Sequence, residues 1–482
     1  MLFHGRRSLS YRFQLLLASL QLSDSLPFAE VLSQEQIQDV CDQHQVSFGT
    51  EEDENGGIVF TPAITLWGFL SQVIHKGEQR SCLAAVARIG VLLVSLGRFR
   101  CAQNSGPYCR VRGQLPLGVI QDLTTLVAKN SEATTPPAWL WYGRHVKLID
   151  GTTVTMPDTS ANQAMYPQQS CQKEGLGFPI ARLVAVLSLA TGMLHQLAIA
   201  PYSGKETGET ALLRKLMDTF QAREIALLDK LFANYWTLAA FLQRSVDVVT
   251  LLNETRHIDL SQAIRLGEND YLVRISRPQC PSWMDQETYK RLPETLALRL
   301  IQTQVRQPGF RPTSLRIITT LTDSCAYSCE AVAELYSKRW HVELDIRAIK
   351  VSMGLGELRC KSPEMVHKEI WTCLLAYNLI RLKLLQAATE KGVHPLALSF
   401  TNGLQLLAAG WSTGPIVDDN TLRALVQLAV IGLGDQKVGD RYGRVEPRAV
   451  KRRPKPMPLL TMPRSEARQL LLAGTDPYQK QK

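Results

Sequence analysis

One stretch of this 482-residue chain gathers side chains suited to a charged substrate: Tyr336-Ser-Lys-Arg-Trp-His-Val-Glu-Leu-Asp-Ile-Arg-Ala-Ile-Lys350. At about 100° per residue, Tyr336, Arg339, Glu343, Arg347 and Lys350 fall within one arc of roughly 80°. Leu335, Val342, Ile346 and Ile349 form an adjoining apolar arc. A purely solvated helix face points directly away from the core. Here a phenol, a carboxylate and three cations run along the core's edge, where a helix lines a cleft. The plainer alternative is a ladder of surface ion pairs.

A carboxylate flanked by cations suits phosphodiester chemistry. Two divalent metals held by three carboxylates can activate an attacking oxygen and stabilise a leaving one, while cations hold the neighbouring phosphates in register. Magnesium takes a few carboxylates and keeps positions open for water and phosphate oxygens. Asp150 and Asp229, each near the end of an expected strand, are the carboxylates that could join Glu343 in such a site. Asp158, in Met156-Pro-Asp-Thr159, is a rival for the first position. A turn or cap role suits it better.

The elements that must position these groups are legible in the hydrophobic pattern. The first 130 or so residues read as helices, from about Ser33, over Thr65–His75 and Ser81–Leu96, and over Gln114–Ala128 introduced by Pro116. The acidic stretch Glu51–Gly57 reads as a loop. His145–Met156 alternates and is rich in β-branched residues, so Asp150 lies in or at the end of a strand. Arg182–Ala190 and Met193–Ala200 read as a hairpin about Thr191-Gly192. An amphipathic helix over Glu209–Phe220 leads to a buried strand, Glu224–Leu228, ending on Asp229, and then to a helix over Tyr235–Gln243. Residues 246–313 are strand-like pieces broken by Pro278, Pro281, Pro293, Pro308 and Pro312, and read as a β-rich insert. Leu315–Leu321 is a further strand. A long helix is expected from about Cys329 to Met353, and a second from Pro363 to about Thr389. This order describes an α/β protein with an RNase H-like core split by an insertion.

Composition excludes several classes. At 45% hydrophobic and 20% charged the chain is globular rather than disordered, and its length suggests more than one domain. No run of about 18 apolar residues occurs, so no membrane span is expected. Arg6 and Arg7 precede a short apolar stretch, but Arg12 and Gln14 interrupt it, and no export signal is expected. None of the ten cysteines forms a Cys-x-x-Cys pair, so no zinc site is expected, and cytoplasmic, reduced thiols are. The net charge of +10 is concentrated at the C-terminus: from Lys437 onward there are twelve Lys/Arg against four Asp/Glu. The segment around Arg448-Ala-Val-Lys-Arg-Arg-Pro-Lys-Pro reads either as a basic arm along a polyphosphate backbone or as a solubilising tail.

The spacing Tyr-x2-Arg-x3-Glu-x6-Lys resembles the signature of the insertion sequence 4 family of DDE transposases. Leu148-Ile-Asp-Gly-Thr-Thr-Val-Thr-Met-Pro-Asp-Thr159 is similar to that family's first-aspartate block, and Ala226-Leu-Leu-Asp-Lys-Leu-Phe232 to its second. Cys360–Glu369, Leu375–Arg381, Thr65–Leu70, Ser81–Arg88 and Arg444–Arg453 extend the resemblance over nearly the whole chain. It implies that Asp150, Asp229 and Glu343 bind two Mg2+ ions, with Mn2+ able to substitute. It further implies that Tyr336, Arg339 and Lys350 contact the phosphates of the cleaved end. Two departures stand out. Lys230 follows Asp229 where the family commonly has Arg, which keeps charge but loses a bidentate phosphate contact. Asn253 stands where a basic residue is usual.

The resemblance implies a cut-and-paste transposase acting on terminal inverted repeats and target duplex DNA. It would work through a hairpin intermediate, as a homodimer in a synaptic complex, in the bacterial cytoplasm at the nucleoid. The expected division is a helical end-binding domain (1–135), a first core part (136–245), the β-rich insertion (246–313), a second core part (314–390), and a helical, basic C-terminal region (391–482). Lys230 and Arg347 join the expected DNA contacts. So do Arg110 and Arg112, with Tyr108 beside them, although these three could equally be surface residues in a turn before Pro116. Trp283 of the insert is either core packing, the plainer reading, or a platform for a flipped base. Two further readings remain open: a two-metal nuclease that never joins strands, and a repurposed copy that only binds DNA.

Overall fold

The computed structural model describes residues 34–46, 60, 62–95, 104–253, 256–305, 313–413, 424, 430–435, 437 and 461–475. The Glu51–Gly57 loop, the N-terminal arginines and the basic C-terminal arm lie outside these residues. Among the described residues no helix is long and apolar enough to cross a membrane.

The protein is mixed α/β, built on one nine-stranded sheet of order β3-β2-β1-β4-β5-β9-β8-β7-β6. The strands are β1 (Val146–Thr155), β2 (Ile180–Ser188), β3 (Leu194–Pro201), β4 (Ile225–Leu227), β5 (Asp247–Leu251), β6 (Ile264–Gly267), β7 (Asp270–Ser276), β8 (Thr295–Val305) and β9 (Thr313–Thr319). β1, β2 and β3 are antiparallel neighbours, whereas β4 pairs parallel with β1 and β5 parallel with β4. The hairpin expected about Thr191-Gly192 joins β2 to β3, with Gly192 at φ +70° in the left-handed region.

Both faces of the sheet are covered, and alternation along the strands sorts side chains between two cores. Leu148, Val154, Leu183, Ala185 and Leu187 enter one core with the N-terminal helices and the Pro363–Lys391 helix. Ile149, Val184 and Val186 enter the other with residues from the Glu209–Lys215 and Tyr235–Gln243 helices. The Pro363–Lys391 helix is buried on almost every side, opens on Pro363, and stops at Gly392, which takes a left-handed conformation (φ 62°).

The structure sharpens the reading of four segments. The segment 246–313 begins with β5, which pairs with β4, and its later strands continue the same sheet because β9 pairs with both β5 and β8. The β-rich piece thus continues the same sheet. Pro278, Pro281 and Pro293 mark loops, and pattern alone cannot say which edge a strand joins. The helix expected over Cys329–Met353 is three pieces: Cys329–Ser337, Trp340–Arg347 and a π-helical turn over Ala348–Ser352. At the first junction the amides of Lys338, Arg339, His341 and Val342 bond to carbonyls three residues back, a local 3₁₀ tightening. The helix from Glu209 ends at Lys215 and tightens into a 3₁₀ turn over Met217–Thr219. Finally, the segment before Pro116, for which a surface turn was one of two readings, is a helix, Gly106–Gln114, and Pro116 precedes the next, Leu117–Ala133.

Candidate active site

β1 and β4 run parallel with Leu148 opposite Leu227. Two residues further along each chain stand Asp150 and Asp229, so this register sets the two aspartates side by side. Alternation turns Asp150 toward the face on which the Trp340–Arg347 helix packs against β1. Asp229 lies just beyond the end of β4. Its Oδ1 accepts from the Lys230 amide (2.7 Å), and its carbonyl accepts from the Thr250 hydroxyl of β5 (3.1 Å). The position after β4 is thereby tied to the neighbouring strand.

Arg339 links the carboxylates. Its Nη2 donates to Glu343 Oε1 at 2.6 Å, and its Nη1 lies 4.0 Å from Asp150 Oδ2. Tyr336, one turn earlier, is buried beside it. Burial pushes the Tyr336 phenol up to about 12, with Arg339 pulling it down and Asp229 and Glu343 pushing it up. The Asp150 carboxyl is pushed up to about 6. Burial is the main cause, the Gly151 amide and Arg339 oppose it, and Asp229 and Glu209 add to it. Asp150, Asp229, Tyr336, Arg339 and Glu343 therefore share one electrostatic neighbourhood. Among the described residues, no three acidic, histidine or cysteine side chains stand close enough to enclose a metal ion as they are placed. The Arg339 guanidinium occupies the space between two of the three carboxylates.

A fourth carboxylate, unexpected from the sequence, joins them. Glu209, the first residue of its helix, lays its carboxyl group against the backbone of Gly151. A Cβ at position 151 would lie 2.3 Å from Glu209 Cδ and 2.5–2.7 Å from its oxygens. Burial raises the Glu209 carboxyl, Arg182 opposes this and Asp229 adds to it. A glycine directly after Asp150 was the available signal, since only a residue without a side chain leaves that space.

The other expected residues divide. Lys350 lies on the π-helical turn, half-buried, and burial lowers its ammonium; among the described residues no ion pair joins it to the carboxylates. Arg347 and Lys230 are exposed. The single arc expected for Tyr336 to Lys350 thus presumed an unbroken α-helix, and the widened π turn changes the angular step before Lys350. Asp158 accepts from Gln163 (2.9 Å) and faces Arg464 (3.9 Å), while Thr159 caps the next helix.

Arg110 is exposed, whereas Tyr108 is buried and Arg112 is partly buried. Tyr108 is fully buried and donates to Gln72 Oε1 (2.7 Å). Arg112 donates to the same oxygen (3.0 Å) and lies over the Phe69 ring. Both have a polar tip on a body that packs well, and the helix turns both inward. Trp283 is only partly buried: Arg214 lies 4.0 Å from its ring centre, and Trp236 meets it edge-on at 6.1 Å.

The family model described as "Transposase DDE domain" matches residues 141–379. The chain is 28% identical over 332 residues to the transposase InsG for insertion sequence element IS4 of Escherichia coli (strain K12), covering 65% of this chain and 69% of that protein. It is 22% identical to a probable transposase for insertion sequence element IS5377 of Geobacillus stearothermophilus, covering 62% and 73%. Among solved structures it overlays on a piggyBac transposase synaptic complex with hairpin DNA. The TM-score is 0.40 at 11% identity, over 86% of this chain and 85% of that one.

Proposed function

Because the chain belongs to the DDE transposases of the insertion sequence 4 family, we propose that it excises and reinserts its element by cut-and-paste chemistry at the site built on Asp150, Asp229 and Glu343. The observation that carries this reading is the convergence of those carboxylates on Arg339. Asp150 of β1 and Asp229, just past the end of the parallel strand β4, share the neighbourhood of Arg339 with the helix-borne Glu343.

DDE transposase domains use divalent metal ions, and the donor set suits them. Carboxylate oxygens are hard ligands, and Asp150 and Asp229 lie close enough to disfavour each other's charge, an arrangement that a divalent cation would relieve. Asp150, Asp229 and Glu343 would hold two ions, Mg2+ being the expected species and Mn2+ a substitute. When bound, the ions supply activation of the attacking oxygen and stabilisation of the leaving one.

The chain's own residues do the rest. Arg339 releases the carboxylates and turns its planar fork to a phosphate of the element end. Tyr336 donates its phenol proton in a hydrogen bond to the same backbone while staying neutral. Lys350, Lys230, Arg347 and Arg110 supply cations along the flanking duplex. Trp283, contacted by Arg214 and Trp236 and partly exposed, is a candidate platform for an unstacked base. Hairpin formation follows if the freed 3′-hydroxyl attacks a phosphodiester of the opposite strand and displaces the flanking DNA's 3′-hydroxyl; water then hydrolyses the hairpin, and the regenerated 3′-hydroxyl attacks target DNA. A homodimer holding two ends would complete the reaction in the cytoplasm, at the nucleoid.

The test is cleavage of a labelled duplex carrying the DNA ends that flank the gene, with and without Mg2+, by the intact protein and by Glu343→Gln. Metal-dependent nicks and hairpins at the boundary, absent from the variant, are expected. Equal cleavage by both proteins would mean that the active site lies elsewhere. Nicks without strand-transfer products would favour a plain nuclease. Binding without cleavage by either protein would favour a repurposed DNA-binding copy.

A further inference from the structure

The Trp340–Arg347 helix that carries Glu343 is about two turns long. It begins at the 3₁₀ junction and runs directly into the π-helical turn. So short a segment, interrupted at both ends, draws little rigidity from its own hydrogen bonds. The packed face of this helix and the π turn after it consists of Val342, Asp345, Ala348 and Ile349, so a carboxylate stands inside an otherwise apolar stripe. Asp345 lies about 200° around the helix from Glu343. Whatever holds Asp345 at the back aims Glu343 at the front.

Arg381 of the Pro363–Lys391 helix holds it. Arg381 Nη2 donates to Asp345 Oδ1, and the two side chains are only 5% and 2% exposed. Arg381 is in turn fixed to the sheet. Its Nε donates to the Tyr377 hydroxyl (2.9 Å), which donates to the Gly192 carbonyl (2.7 Å) in the β2–β3 turn. A Cβ at Gly192 would lie 2.9 Å from Arg381 Nε and Cζ, so the guanidinium occupies the space that glycine leaves. Two residues on, Asn378 bonds both the amide and the carbonyl of Leu194 at the start of β3 (2.9 and 2.8 Å). One continuous chain of contacts thus runs from the hairpin that flanks β1, which bears Asp150, to the back of the helix bearing Glu343.

Stability alone does not call for ions here. A buried ion pair is often matched or bettered by apolar side chains of similar volume. What an apolar pair lacks is direction, because it tolerates rotation and slippage of the helix that a fixed hydrogen-bonded pair does not. We propose that Asp345 and Arg381 are positioning residues that set the rotation of the Glu343 helix relative to Asp150 and Asp229, and so the shape of the metal-binding cleft. This rests on the reading of those three carboxylates as the metal site.

The test compares wild type with the double variant Asp345→Leu, Arg381→Met, which removes both charges and keeps the volume. Thermal melting and end-DNA binding are measured beside Mn2+ titration of the DNA-free protein, read by electron paramagnetic resonance, and beside strand cleavage. The double variant should melt at or above the wild-type temperature and bind end DNA as wild type does. Its Mn2+ affinity and its cleavage rate should each fall about tenfold or more. Wild-type Mn2+ affinity and cleavage in the folded double variant would overturn the proposal. So would a double variant that melts well below wild type, since the pair would then serve stability. A wild-type protein that neither binds Mn2+ nor cleaves would instead overturn the site reading itself, and this one with it.

Discussion

Asp150 is pulled in two directions by its surroundings. Burial and the neighbouring Asp229 and Glu209 disfavour its charge, while the Gly151 amide and Arg339 favour it, leaving a carboxyl pushed up to about 6. A carboxyl raised on folding costs nothing below its unfolded value. It costs most once the pH has risen past its folded value. The stability of the metal-free protein should therefore decline between roughly pH 4 and 6 through this group, and stay lower above. Asp150→Asn should stabilise the metal-free protein at pH 8 by about 1–3 kcal/mol and remove that part of the pH dependence. Urea unfolding of both proteins at pH 4 and pH 8 measures it, and equal stabilities at pH 8 would deny the effect. Tyr336, Arg339 and Glu343 were legible because their grouping is local, one helical turn apart. Glu209 was not, because tertiary packing alone brings it to Gly151. Tyr108 and Arg112 misled for the opposite reason: their polar atoms find Gln72 inside the protein instead of a partner outside it.

At the level of elements, β1 must pass closely beneath the Glu209 helix, and Gly151 permits it. In Gly151→Ala the new methyl meets the far end of a flexible side chain rather than backbone. Glu209 should swing aside with a melting temperature within a few degrees of wild type, corresponding to roughly 1 kcal/mol or less, while cleavage at the element end falls. A large fall in melting temperature would show that Glu209 is wedged and cannot move. The strands flanking this point, β2 and β4, were legible as continuous apolar runs, since here both faces of the sheet are buried. The interruption of the Cys329–Met353 segment was not. No glycine or proline lies within it to announce a break, and the apolar spacing continues across the 3₁₀ step. Nor does spacing reveal Asp345 as a core residue, because a carboxylate among lysines and arginines reads as solvated until its partner, on another helix, is known.

For the molecule as a whole, the N-terminal helices are locked to the catalytic half by a buried ion pair. Arg80 donates to Glu369 Oε1 (2.9 Å) and to the Gly354 carbonyl (3.1 Å), just past the π-helical turn, and Glu369 also receives the amides of Arg359 and Cys360. Arg80→Ala leaves Glu369 charged and buried, and should cost about 3–5 kcal/mol of stability in thermal or urea unfolding. A cost below 1 kcal/mol would mean that the pair is dispensable. The C-terminal charge makes a separate prediction. Removing everything after Val445 should flatten the dependence of end binding on salt, and an unchanged slope would reduce that segment to a solubilising tail. Charge and motif order made the general plan legible, but not the continuity of the sheet, because a strand's pattern does not name its partner. That continuity has a consequence for shortened copies of the chain. The intact sheet ends on β3, which the Leu117–Ala133 helix packs against, and on β6, a four-residue strand with an irregular register. A copy lacking β6 to β9 would bare the amides and carbonyls of β5, a strand of Val, Thr and Leu with no charge beyond Asp247. Such a naked rim recruits other chains, so internally deleted copies should accumulate as aggregates rather than as smaller enzymes.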